Sequence, residues 1–487
     1  MSPFKITWLR KSINWHRSIA WIGGIGLLIF IISAMTHPLM SWTGPKQSVF
    51  FPPQMAMDSK LIENIPVILK KYNLQKALII KVVPSQGEPL LQVTANETQP
   101  RRYFDLISLN EKENYDAIQA EWLARYYTSQ QKAPIRAIHF QSEFDASYPW
   151  VNRLLPVYKI EFDTKDNLTA FVYTELNVLA SLTNDWKNIL QNIFRNLHTW
   201  SWLDNSELVR VGIMIIFLSS IAALLITGIS MILLMKRRKI LAPNRRWHRY
   251  IAYIIWIPLL GLVTSGGYHL LHHSFTENIR GLRIGHPIDL NSLNLASNIS
   301  LKANTPLNEI SLIAIGMDKF AYRLSMPQGK PGEMIEHDHR FHGATTEKSA
   351  MYIDALSGKK IVLTDKELAI QFTNNHLGLN EEDVTRTELI THFGTLYDFR
   401  NKRLPVWRID YGTEIVFIDA ATGILVDRLQ NKERYEATVF SYLHKWNFLV
   451  PIMGRESRDI VTIVILIFTL ALSLLGLKLS LKRKLHI

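Results

Sequence analysis

Four runs of apolar residues interrupt an otherwise mixed chain of 487 residues. They are Ser18–His37, Val211–Met235, Tyr250–Leu271 and Ile460–Leu477. Each approaches the roughly 20 helical residues needed to cross a hydrocarbon layer about 30 Å thick. The last is shorter and extends through Lys478 and Leu481 by snorkelling. The pattern predicts four transmembrane helices. The long stretches between runs one and two, and three and four, read differently. Ala321–Met326, Ser349–Asp354 and Glu414–Asp419 alternate as half-buried strands do, with turns at Ala355–Gly358 and Ala420–Gly423. Leu61–Lys71 and Glu113–Tyr127 have helical periodicity. The expected fold class is a membrane α-helical, four-helix bundle carrying mixed α and β domains.

Charge gives the bundle a direction. Lys5, Arg10, Lys11 and Arg17 precede the first run, and Lys236, Arg237, Arg238, Lys239, Arg245, Arg246 and Arg249 lie between the second and third. Lys478, Lys482, Arg483 and Lys484 follow the fourth. Basic segments stay in the cytoplasm, and four crossings let all three do so. The expected order is a cytoplasmic N-terminus (1–17), helix (18–40), outer domain (41–205), helix (206–235) and cytoplasmic link (236–248). Helix (249–272), a second outer domain (273–458), helix (459–481) and cytoplasmic tail (482–487) follow. The first run has no small-x-small cleavage site after it, so it reads as an uncleaved signal-anchor. The net charge of +13 is concentrated at helix ends, where it signals topology and a lipid bilayer partner, not nucleic acid.

There are no cysteines. Disulfides, thiolate zinc sites, cysteine-held iron–sulfur clusters and thioether-linked haem are excluded. A redox cofactor would need other ligands, which brings the 16 histidines forward.

The chain also repeats itself. Asn14-Trp15-His16-Arg17-Ser18-Ile19-Ala20 aligns with Arg246-Trp247-His248-Arg249-Tyr250-Ile251-Ala252 at an offset of 232, which also carries Ser33 onto Ser265 and His37 onto His269. Leu197-His198-Thr199-Trp200 aligns with Leu443-His444-Lys445-Trp446 at an offset of 246. Val157-Tyr158-Lys159-Ile160-Glu161 resembles Val406-Trp407-Arg408-Ile409-Asp410. These matches predict helix–domain–helix twice, about a pseudo-two-fold axis along the membrane normal.

The Trp-His-Arg openings, the Leu-His-x-Trp segments and the units Tyr352–Gly358 and Phe417–Gly423 resemble the PepSY-associated transmembrane family. The resemblance spans nearly the whole chain and rests on the order of short motifs. That family includes di-haem inner-membrane ferric-siderophore reductases. The resemblance implies a four-helix b-type cytochrome in a bacterial inner membrane with PepSY-like periplasmic domains. It does not extend to the insert Met326–Lys348.

Six histidines belong to the repeated set: His16, His37, His198, His248, His269 and His444. Neutral imidazole is the usual axial ligand of non-covalent haem, and two such ligands suit electron transfer. A single interfacial histidine more often anchors a helix among headgroups, as Trp and Tyr do. Two repeated pairs at both faces favour ligation by two bis-histidine b haems. His16 to His37, and His248 to His269, are each 21 residues apart, or roughly 31 Å along a helix. Symmetry therefore pairs His16 with His248 inside and His37 with His269 outside, or an outer pairing involving His198 or His444. Arg17 and Arg249 would neutralise propionates. His337, His339 and His342 form a separate polar cluster that either binds a metal or is a solvated loop tip.

The expected function is an inner-membrane cytochrome that passes electrons from an unnamed donor to a ferric siderophore or other Fe(III) chelate. No residue is singled out as catalytic. The alternatives are a non-enzymatic PepSY envelope module that binds another protein, and a metal permease. Against the permease, no span carries an ionisable residue near its middle.

Overall fold

In the computed structural model, the structure describes residues 2–235, 242–276, 283, 285, 287–290, 295–296, 299, 306–307, 309–316, 319–325 and 350–484. The chain divides into two compact units. One comprises residues 1–44, 186–278 and 433–487, and the other 45–185 and 279–432.

The first unit contains four long helices, labelled α1 (Pro3–Thr43), α2 (Glu207–Leu234), α3 (Pro243–Phe275) and α4 (Val450–Lys484). All four are long and apolar enough to cross a membrane, which fits a multi-pass membrane protein. Helix α1 starts well before its apolar run because Pro3 suits a first helical turn and nothing in Phe4–Arg17 breaks the helix. Helix α4 is interrupted at Gly454, whose φ of +76° and ψ of 166° leave helical space. A side chain there would be strained.

Within lipid, helices associate by close packing at small residues, since the tails are as apolar as the helix surface. The Gly23-Gly24-Ile25-Gly26 stretch of α1 does this. A Cβ on Gly23 would lie 2.5 Å from Leu224 Cδ1 and 3.0 Å from the Ser220 carbonyl, and one on Gly26 would lie 2.5 Å from Phe217 Cδ1. One on Gly24 would meet Leu477 Cδ2 at 2.9 Å. Behind these contacts Leu27, Ile31, Ile221, Leu225, Ile255, Leu259 and Leu466 form an apolar core with Trp256 at its side.

The second unit is built on an antiparallel sheet of eight strands. At its centre Glu309–Gly316 pairs with Ile79–Ser85, so the two halves of the chain share one sheet. The unit also has, among the described residues, two two-stranded antiparallel sheets and two four-stranded ones. Ile135–Gln141, Val157–Phe162, Thr169–Tyr173 and Val178–Thr183 form one, packed against the helix Tyr115–Thr128. Arg386–Ile390, Val406–Asp410, Glu414–Asp419 and Ile424–Gln430 form the other, against the helix Asp365–Leu377. That helix opens on a capping box, in which Thr364 and Glu367 bond each other's backbone N–H.

Buried ion pairs cross between the halves of this unit. Glu175 is fully buried and accepts from Arg283 and, at 2.8 Å, from Arg403, which also reaches Asp419 at 2.6 Å. Arg153 reaches Asp427 at 3.2 Å. Burial on its own would raise the Glu175 carboxyl, but Arg283, Arg403, Arg101 and Lys81 outweigh it and hold it at about 2.

Candidate functional site in the helical unit

The helical unit brings four of the repeated histidines into two facing pairs. His16 on α1 and His248 on α3 have ring centroids 6.5 Å apart, with planes at 73°. His198 and His444 have centroids 6.3 Å apart, with planes at 69°. An ion bonded at about 2.0 Å to one nitrogen of each ring spreads their centroids to roughly this distance.

The hydrogen-bond partners of Nδ1 assign the tautomers. The Thr227 hydroxyl has one proton, which it gives to the Ala223 carbonyl at 2.7 Å, so its oxygen accepts from His16 Nδ1 at 2.9 Å. Ser33 donates to the Ile29 carbonyl at 2.7 Å and accepts from His198 Nδ1 at 3.0 Å. Ser265 donates to the Gly261 carbonyl at 2.6 Å and accepts from His444 Nδ1 at 3.2 Å. His248 Nδ1 donates to the Leu472 carbonyl at 3.2 Å. With each hydroxyl proton given to its own helix carbonyl, all four rings are assigned the proton on Nδ1, which leaves the lone pair on Nε2. This is how a metal-bound imidazole is usually oriented: its second nitrogen donates to a neighbour and stops the ring rotating.

Small residues flank three of the rings. A Cβ on Gly228 would lie 3.7 Å from His16 Cε1, on Gly476 3.2 Å from His248 Cε1, and on Gly266 3.4 Å from His444 Cε1.

His198 and His444 enter from outside the long helices. The helix Asp185–Ile193 runs into a π-helical turn, Phe194–His198, and Asn431–Val439 into another, Phe440–His444. Each turn is followed by a tryptophan with positive φ, Trp200 at 56° and Trp446 at 52°, after which the chain enters α2 or α4. A π-helical turn inserts a residue into the helix and re-aims the side chains that follow, as it often does at functional sites.

His37 and His269 take a different place. No ring contact joins them among the described residues. His37 packs on Phe194 at 6.1 Å, and Phe194 stacks on His198 at 4.7 Å. His269 stacks on Phe440 at 3.9 Å, and Phe440 on His444 at 4.6 Å. The Nδ1 of His269 bonds Glu436 at 2.5 Å.

Of the two arginines, Arg249 donates to the Tyr253 hydroxyl at 3.1 Å, and Arg17 is exposed beside His16. His337, His339 and His342 lie outside the described residues.

Sequence reasoning did not find the part played by Thr227, Ser33 and Ser265. The Ser33–Ser265 repeat at the histidine offset was the available signal; Thr227 had none.

Comparison of the chain with protein-family models, with curated proteins and with solved structures finds no match.

Proposed function

We propose that the chain is a b-type cytochrome of a bacterial inner membrane that reduces a ferric chelate, such as a ferric siderophore, on the outer side. The observation that carries this reading is the twofold occurrence of paired imidazoles, ring centroids 6.5 and 6.3 Å apart, each with its Nδ1 hydrogen-bonded to a hydroxyl or carbonyl. The residues fit haem: His16 with His248 would hold one group, and His198 with His444 the other. Haem bound there supplies one-electron transfer between its ferric and ferrous states.

The chain's own part is to orient, separate and shield. Thr227, Ser33, Ser265 and the Leu472 carbonyl hold the Nδ1 protons, so each ring presents the same nitrogen at a fixed angle. The core around Leu27, Ile255 and Leu466 excludes water between the two levels. From His16 to Ser33, the partner of His198, is 17 residues, or roughly 25 Å of helix rise. That is shorter than the span to His37, and Trp256 flanks the core between. The repeated pairs, π-helical turns and four-stranded sheets support a duplicated unit with PepSY-like domains, and the basic segments beside the helices support cytoplasmic termini.

Reduction matters to the substrate because Fe(II) has lower charge density than Fe(III). Hard oxygen ligands hold it less tightly, so one electron loosens the chelate.

A reduced-minus-oxidised spectrum of the purified protein tests the reading. The expected result is a low-spin b-type signal at two haems per chain, reoxidised by an added ferric chelate. A colourless protein would refute it and favour an envelope interaction module.

A further inference from the structure

The outer histidines not used in the facing pairs form a second constellation. His269 and His273 lie one turn apart on α3, with ring centroids 4.4 Å apart. Residues four apart share one helix face, so both imidazoles look the same way. Glu436 arrives from Asn431–Val439, 167 residues away in sequence from His269. One donor atom from each of the three lies within 4.8 Å of the others. Glu436 is buried, His269 half-buried and His273 exposed, so the group is anchored at one side and open at the other.

The neighbourhood is rich in donors. His272 stands beside the group, its ring 5.7 Å from that of His273, and both its nitrogens are buried without a hydrogen-bond partner among the described residues.

We propose that His269, His273 and Glu436 bind a divalent first-row transition ion. Two imidazoles and one carboxylate suit Fe(II), Co(II) or Zn(II) and disfavour Mg(II) and Ca(II), which take all-oxygen ligands. Two nitrogens and one oxygen on one face leave further coordination positions open, here on the His273 side, where an ion can enter and leave. Side-chain rotation draws the donors in to bonds of about 2.1 Å. His269 Nδ1 and Glu436 already meet through a hydrogen bond, and the ion takes the place of that shared proton. His269 stacks on Phe440, and Phe440 on His444, so the ion sits one aromatic ring from the outer imidazole pair.

Naming the biological ion as Fe(II), the product of chelate reduction, rests on the proposed function. The site itself does not.

Titration of the full-length, detergent-solubilised protein with Co(II), followed by calorimetry and the visible ligand-field bands, tests the site. One Co(II) per chain is expected. His273→Ala and Glu436→Gln should each weaken binding at least about tenfold, the scale seen when a group that merely orients a ligand is lost. His273 is exposed, so its variant tests the site without disturbing a packed core. Haem content should be unchanged in both variants. No Co(II) or Zn(II) binding by the unaltered protein overturns the proposal, as does equal affinity in all three proteins. Haem loss in His273→Ala also overturns it, because the cluster would then serve the haem. A protein that binds Co(II) but lacks haem keeps the site and removes the reductase reading; a red protein that binds no ion does the reverse.

Discussion

The imidazoles of His198 and His444 face each other with ring centroids 6.3 Å apart, although neither residue belongs to a long helix. Each is the last residue of a π-helical turn, and each gives its Nδ1 proton to a serine of a long helix, Ser33 or Ser265. The pair is thus assembled from four separate segments. Its geometry depends on the two turns and the two hydroxyls together.

The first prediction separates the two levels. If the pairs hold haem as proposed, replacing His198 or His444 with Ala should remove one ligand of that group and halve the haem per chain or leave a high-spin remainder. His16→Ala and His248→Ala should do the same at their pair. A double variant with one histidine lost from each pair should lose the low-spin signal entirely. Pyridine haemochrome assay and absorption spectra check this. By contrast, His37→Ala should keep full haem content. Loss of haem there would move the outer ligand to His37.

A second prediction concerns the hydroxyls. Thr227→Val, Ser33→Ala and Ser265→Ala each remove an acceptor for an Nδ1 proton without touching Nε2. These are positioning residues, so haem should still bind, with affinity lower by about 10- to 100-fold. The midpoint potential should shift, because an imidazole that loses its Nδ1–H partner is a weaker donor. Ser33→Thr, which keeps the hydroxyl, should restore the original potential. An unaltered potential in Ser33→Ala would mean that the hydrogen bond does not tune the site.

The contrast between the His16–His248 and His198–His444 pairs explains what the sequence can reveal. Trp15-His16-Arg17 and Trp247-His248-Arg249 lie on the long helices, so their offset alone aligns their heights, and the structure does bring the two rings together. Extending the helix geometry 21 residues to His37 and His269 assumes that paired histidines stay on the same helices; the alternative pairing through His198 or His444 does not. His198 and His444 instead enter on preceding segments, and a π-helical turn is a departure from helical spacing that hydrophobic periodicity does not register. In the other unit, Glu414–Asp419 is a strand as predicted, although both its faces are buried and not one, and Tyr115–Thr128 is close to the predicted helix. Leu61–Lys71 splits into a 3-10 turn, Ser59–Glu63, and a helix, Asn64–Lys71. Pro66 lacks an N–H and is tolerated only in the first turn of a helix, which fixes the start there. The Glu175–Arg403 pair, 228 residues apart, has no local signature at all.

The glycines of α1 support a third prediction. Gly23→Ala places a Cβ 3.0 Å from the Ser220 carbonyl, which is backbone and cannot rotate away, and Gly26→Ala crowds the Phe217 ring at 2.5 Å. Each should destabilise the bundle by about 1–3 kcal/mol. Gly212→Ala and Gly267→Ala are the controls, since a Cβ at either meets nothing within 4 Å. Thermal unfolding in detergent should lower the midpoint for the first two and leave the controls unchanged. Equal behaviour of all four would show that α1 and α2 do not pack through these glycines.

The last prediction concerns pH and the buried network of the sheet unit. Glu175 is held at about 2 against an ordinary value of 4.5. Its ionised form is favoured in the folded state, so its contribution is fully present above about pH 4.5. It disappears as pH falls through that value toward 2, because the unfolded chain takes up the proton first. A shift of this size corresponds to about 3 kcal/mol at neutral pH. Other carboxylates titrate in the same window, so the informative quantity is the difference between the native protein and Glu175→Gln. At neutral pH the variant leaves Arg283 and Arg403 buried beside an uncharged side chain, and should be less stable by about 3–5 kcal/mol. As pH drops from 4.5 to 2 the gap should narrow, because the native protein loses what the variant never had. Amide hydrogen exchange across Thr169–Tyr173 and Glu414–Asp419, measured for both proteins through that range, reports on the network directly. A gap that stays constant with pH would show that Glu175 is not ionised in the folded protein.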